Sequence, residues 1–404
     1  LLPSIVALGL LYLFIYYGQT MRVDLTAEPG TENTIFAMGW SKDAVMNFWV
    51  IFLFIYAGVA SLLPVWMLLQ PRDYINSHQL LVGLGLLFLG VIWTNPEIDA
   101  PWIRSDVTWF QQGENGSPPL IPFLFVTVAC GAISGFHALV SSGTTSKQVR
   151  SLRDTRLIGY GSMLGEGSLA LASVLAAVAG IALVGQCDLP GQGNVADLSW
   201  ASYYDTWSNA AQNKATAFVM GGAEFLRSIG VGDNYAITMM AVLVVSFAAT
   251  TLDTATRIQR FVITELGGAL EIPSLTNRYV ATVLALLPAL VLVFGEAKDP
   301  SGQTTQMAWL LWPIFGASNQ MMAGLTLMVL SLYFWRRGKP VLPLLIPMVL
   351  VMAIAVTALI LQTGAYLKQG NGLLVGVSGL LLAMILWMLF EGVGLVRQLR
   401  RQAR

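Results

Sequence analysis

Apolar blocks of 16 to 29 residues, separated by polar connectors, run the length of this 404-residue chain. About 20 apolar residues in a helix span the hydrocarbon of a bilayer. Inside lipid every backbone amide and carbonyl needs a protein partner, which leaves helices or closed barrels as the spanning structures. Barrel strands alternate in character over about ten residues, and runs such as LALASVLAAVAGIALVG (169–185) do not alternate. Composition agrees: 55% of residues are hydrophobic and 11% charged, against about 25% charged in soluble proteins. The expected fold is all-α, a polytopic transmembrane helix bundle.

Ten spanning segments are expected, at about 1–18, 46–69, 79–94, 120–142, 157–185, 234–252, 279–295, 307–335, 341–363 and 371–390. The segment at 79–94 is short; those at 157–185 and 307–335 are long, so one of them should bend or leave the bilayer. No short-period repeat is visible. The connectors after the second, fourth, sixth and eighth segments, with the C-terminal tail, hold 15 of the 22 basic residues, among them Arg72, Lys147, Arg257, Arg336, Arg397 and Arg404. The other connectors hold 15 of the 22 acidic residues. The positive-inside rule makes the first set cytoplasmic. We expect one transmembrane domain over 1–390, a cytoplasmic basic tail at 391–404, and an external loop at 186–233 whose Trp200, Trp207 and Phe218 lie on the membrane face. The chain opens with Leu1 inside an apolar run, which reads as a fragment with upstream sequence missing.

Several chemistries are excluded. Lysine plus arginine and aspartate plus glutamate are 22 each, so there is no basic field for nucleic acid. Two cysteines, Cys130 and Cys187, make no disulfide framework or thiol redox motif. Two histidines, His78 and His137, are too few for a histidine metal site. Residues 143–147 (GTTSK) lack the P-loop spacing. No cofactor is expected.

Polar residues inside apolar blocks carry the functional signal. In the fourth segment Gly131, Ser134 and Gly135 fall mid-block, followed by His137, Ser141, Ser142 and Thr144. Glycines let a helix unwind, and freed carbonyls with hydroxyls can replace the water of an ion or substrate; the same small residues also serve close helix packing. Glu166 stands among Gly159, Gly161, Gly165 and Gly167. It reads either as an intramembrane carboxylate that needs a partner or as a glutamate reaching the interface. Asp253 lies among Thr250, Thr251, Thr254 and Thr256, with Arg257 four residues on. This reads as a proton or cation site, with sodium a candidate, or as an ion pair on one helix face. Pro313 and Gly316 allow a break in the eighth segment, where Asn319 and Gln320 need partners in lipid; Pro64 loosens the end of the second.

The stretches LPVWMLLQPRDY (63–74), ACGAISGFHALVSSGTTSKQ (129–148), IGYGSMLGEGSLA (158–170), TTLDTATRIQRF (250–261) and WPIFGASNQMMAG (312–324) resemble, in order, the carbon-starvation CstA-type transporters. The resemblance implies an inner-membrane uptake protein for small nutrients, peptides or pyruvate, under carbon limitation. It also implies an inverted-repeat architecture of the LeuT/APC type. The family's N-terminal third, with its own glycine-rich motif, has no counterpart here.

Secondary active transport is therefore the expected function, with a small-molecule substrate, a proton or sodium as coupling ion, and lipid as surroundings. An intramembrane hydrolase using Ser134 or Ser141 is a weaker reading, because GAISG is not G-x-S-x-G and its histidine is three residues away. A channel or sensor is the third class.

Overall fold

Unbroken apolar runs become long helices, and the computed structural model shows where the runs are interrupted. It describes residues 2–105, 107–110, 119–128, 131, 133–189, 193–196, 198–205, 214–298 and 304–402. Cys130, Trp207 and Arg404, singled out above, lie outside these residues. The helices that position the polar groups are α1 (Leu2–Thr20), α2 (Lys42–Leu62), α3 (Leu69–Thr94), α4 (Leu120–Thr127), α5 (Gly135–Gly143) and α6 (Asp154–Leu175). They continue with α7 (Lys214–Ser228), α8 (Asp233–Ala269), α9 (Arg278–Phe294), α10 (Met307–Arg336), α11 (Leu342–Lys368) and α12 (Gly372–Gln402). Short two-stranded pairings, such as Gln186–Leu189 with Gly193–Ala196, occupy connectors.

Among the described residues eight helices are long and apolar enough to cross a membrane; α9, at 17 residues, is a shorter apolar helix. The remaining expected segment, 120–142, is not one helix. It is split into α4 and α5. The all-α polytopic bundle stands, with one of the ten segments broken.

Several boundaries differ from the sequence expectation, among them that of α8, expected over about 234–252 and running on to Ala269. Pro64, expected only to loosen a segment reaching about 69, ends α2 at Leu62, since the residue before a proline is pushed out of the helical region. The next helix begins at Leu69 rather than near 79, so the polar stretch from Arg72 to Gln79 is helix, not connector. The break expected at Pro313 and Gly316 is absent: α10 is continuous from Met307 to Arg336. The long 157–185 segment does change character, passing into a π turn at Ala176–Gly180 and a 3-10 turn at Ile181–Leu183.

The chain divides into two compact units, one of Leu1–Arg104 with Met163–Leu287, the other of Ser105–Ser162 with Pro288–Arg404. In the first, Leu84 and Leu87 of α3, Ala172 of α6, Phe225 and Leu226 of α7, and Met240 and Leu243 of α8 form the main core. Helix α7, from the loop expected outside the membrane, is thus set into that core. Phe218 packs against the same cluster, and Trp200 lies under the Arg104 guanidinium, 5.5 Å from its ring centre. In the second unit Val126 of α4, Leu310, Ile314 and Met321 of α10, Met352 and Leu359 of α11, and Ile385 of α12 form the core.

Candidate functional site

Polar groups gather at one place in each unit. In the first, Asp253 of α8 is completely buried. An unpaired charge there would be costly, and two helices supply its partners. Arg72, one turn into α3, donates from both terminal nitrogens: Nη1 to Oδ2, and Nη2 to Oδ1 at 3.1 Å. The hydroxyl of Tyr56, from α2, lies 2.8 Å from Arg72 Nη1 and 3.3 Å from Asp253 Oδ2. The neighbouring Asp73, half exposed, accepts from Arg72 Nη2 at 3.0 Å. This charge neutralisation lets the Arg72–Gln79 stretch enter the bundle as helix.

The pairing expected between Asp253 and Arg257 is therefore corrected. Arg257 turns to the end of α2, where its Nη2 donates to the carbonyls of Ala60 (2.8 Å) and Leu63 (2.7 Å). Those carbonyls belong to the last turn of a helix, which has no amides of its own to satisfy them. The threonines also behave differently from an oxygen cage. Thr250 and Thr251 bond back to the Phe247 carbonyl and Thr256 to that of Leu252; Thr254 alone of the four contacts Asp253, at 3.4 Å.

Further along the same α3–α8 seam, Asn76 Nδ2 donates to the Ser246 carbonyl at 3.4 Å, and Ser246 Oγ lies 3.1 Å from Gln79 Oε1. Tyr56, Asn76, Gln79 and Ser246 were not singled out in the sequence, and Arg72 was named there only as a connector residue that marks the cytoplasmic side. The signal was present: positions 72, 76 and 79 fall at i, i+4 and i+7, one face of a helix.

In the second unit, Asn319 and Gln320 of α10 hold the two sides of the split segment. Gln320 Nε2 donates to the Phe125 carbonyl of α4 at 2.8 Å. Asn319 Oδ1 accepts from the Phe136 amide, in the first turn of α5, at 2.9 Å, and Asn319 Nδ2 donates to Ser134 Oγ at 3.1 Å. Ser134 is itself the N-cap of α5, accepting from the His137 amide. Contact is close because two glycines allow it. A Cβ on Gly135 would sit 2.8 Å from the Ala323 amide nitrogen, and one on Gly316 would sit 3.0 Å from the Val126 carbonyl oxygen. Gly316, Asn319, Gln320 and Ala323 share one face of α10, which follows both α4 and α5.

Of the other candidates, Gly131 lies between the two halves, His137, Ser141 and Ser142 are exposed on α5, and Thr144 is buried with Oγ1 on the Val140 carbonyl. Glu166 is half buried on α6, and the glycines around it have no neighbour within 4 Å of a built Cβ. The structure thus brings together Ser134, Gly135, Asn319 and Gln320, and separately Asp253 with Arg72. Among the described residues no cluster of histidine, cysteine, aspartate and glutamate could hold a metal ion.

These features define an all-α, multi-pass membrane protein in which one apolar segment is split into two helices. The chain belongs to the carbon starvation protein CstA family, whose model matches residues 1–358. A peptide transporter CstA of Helicobacter pylori is 31% identical, over 93% of this chain and 56% of its own. A peptide transporter CstA of Mycobacterium tuberculosis is 31% identical over 83% and 47%. The pyruvate/proton symporter BtsT of Escherichia coli is 29% identical over 81% and 50%. The chain spans about half the length of these relatives. No solved structure matches it.

Proposed function

We propose that this chain acts in secondary active transport across the inner membrane, taking up peptides, pyruvate or both in the carbon-starvation response. The observation that carries this reading is the split segment α4/α5, stitched at both sides by Asn319 and Gln320. Helix ends inside an apolar segment offer backbone groups at which a substrate or ion can exchange its water. The names of the relatives supply the substrate class, and that of BtsT supplies proton coupling.

Asp253 is the proposed coupling carboxylate. A proton there would release Arg72, whereas sodium near Asp253 would have to displace a bidentate guanidinium. This favours the proton. The reading keeps one transporter domain over 1–390, a cytoplasmic C-terminal tail, and the LeuT/APC-like repeat. A hydrolase built on Ser134 is disfavoured because that hydroxyl caps α5 and bonds to Asn319.

The test is accumulation of labelled pyruvate and dipeptides in vesicles containing the protein, with imposed proton or sodium gradients and without them. Accumulation above equilibrium under a gradient is expected; equilibration alone would make the protein a channel, and no flux would remove the transport reading.

A further inference from the structure

Gln320 is 4% exposed, and its Oε1 has no hydrogen-bond partner among the described residues. The amide orientation is decided by its other end, because only the NH2 group can donate to the Phe125 carbonyl. The oxygen is left over. It lies by the C-terminal end of α4, the negative pole of that helix, where the last carbonyls lack amides of their own helix. On the other side of the split, Asn319 and Ser134 already serve the first amides of α5. The unmet demand at the split is therefore for a donor. A buried acceptor left without one in an apolar segment costs free energy and calls for an occupant.

We propose that Gln320 Oε1, at the end of α4, binds a small group of single positive charge: an alkali cation, or the ammonium of an amino substrate. Both are compact cations that exchange water for uncharged oxygens. A neutral carboxamide also suits an occupant that must leave again, since it holds the charge without neutralising it. The inference rests on the split segment used in the transport reading and assigns its ligand class.

The experiment reads thermal unfolding of the purified protein in nanodiscs by tryptophan fluorescence. One series exchanges choline chloride for sodium, lithium or potassium chloride at constant ionic strength. The other adds dialanine or N-acetyl-dialanine in choline medium. A ligand bound to the folded state raises the midpoint in a saturable way. A rise with a metal chloride identifies the alkali cation; a rise with dialanine and not its acetylated form identifies the ammonium. In Gln320→Leu the half-saturating concentration rises about tenfold or more, as loss of a hydrogen bond to a charged group requires. In Gln320→Glu, which keeps an acceptor and adds negative charge, it falls. Midpoints flat in both series, or half-saturation unchanged in Gln320→Glu, overturn the proposal and leave only a hydrated amide. A Gln320-dependent response in protein that accumulates no substrate would uphold this site and remove the transport reading.

Discussion

Arg72 and Asp253, 181 residues apart in sequence, meet as a two-pronged ion pair between α3 and α8, with Asp253 fully buried. A pair of this kind is held together by the penalty of separating it more than by its net attraction. Asp253 without Arg72 is an uncompensated charge in a buried position, whereas Arg72 without Asp253 keeps Asp73 and the Tyr56 hydroxyl.

Arg72→Gln or Asp253→Asn should each lower unfolding stability by about 3–5 kcal/mol, while Arg72→Met with Asp253→Leu recovers most of that loss. Denaturant unfolding in detergent measures the cycle, and additive losses in the double variant would refute the pairing. In vesicles Asp253→Asn should lose gradient-driven accumulation and keep substrate exchange. Loss of both would assign Asp253 to folding.

Gly135→Ala should destabilise the second unit by about 1–3 kcal/mol, because the added methyl meets the α10 backbone at Asn319 and Ala323. Asn319→Leu should cost about 1–3 kcal/mol by leaving the Phe136 amide without its partner. Thermal midpoints check both, and Asn319→Asp, which retains an acceptor, should be milder.

Arg257→Ala strands the Ala60 and Leu63 carbonyls and should cost more than Arg257→Lys, whose single ammonium can still reach one of them. Hydrogen exchange at the end of α2 should rise in the alanine variant. No change there would mean that other groups cap the helix.

A pH effect is expected in α7. Burial pushes the Glu224 carboxyl above its ordinary value of 4.5, opposed by the paired Arg227 and reinforced by Asp233. The folded state then holds the proton more tightly than the unfolded state. The contribution to stability is greatest below 4.5 and falls as pH rises through the raised value. Glu224→Gln should flatten the dependence of the thermal midpoint on pH in that window; an unchanged slope would assign it to another group.

Topology is open to direct measurement. Cysteines at Gly338, between α10 and α11, and at Asn371, between α11 and α12, should label oppositely from outside: Gly338 blocked, Asn371 reactive. The reverse result would invert the orientation taken from the basic residues.

Most of the helices were legible because hydrocarbon selects for length and apolarity, both of which are local properties. Interruptions were legible only in part. Pro64 marks a stop through its own geometry, and α2 ends before it. Pro313 and Gly316 looked like a second stop, yet α10 runs through them, and Gly316 serves instead as the surface on which Val126 packs. The glycine and hydroxyl cluster at 131–144 did mark a real split.

By itself the sequence determined that this chain is a multi-pass helical membrane protein, since no soluble fold can cover so much apolar surface with 11% charged residues. It also carried the motifs that place the chain in its family. Partnership was decided by tertiary structure alone. Asp253 has Arg257 one helical turn away, and local spacing favours that pair. Packing instead brings Arg72 from another helix and leaves Arg257 to the open carbonyls of α2. The physical reason is that a buried charge must be neutralised and hydrogen-bonded, and the groups that do so here come from chain segments far apart in sequence.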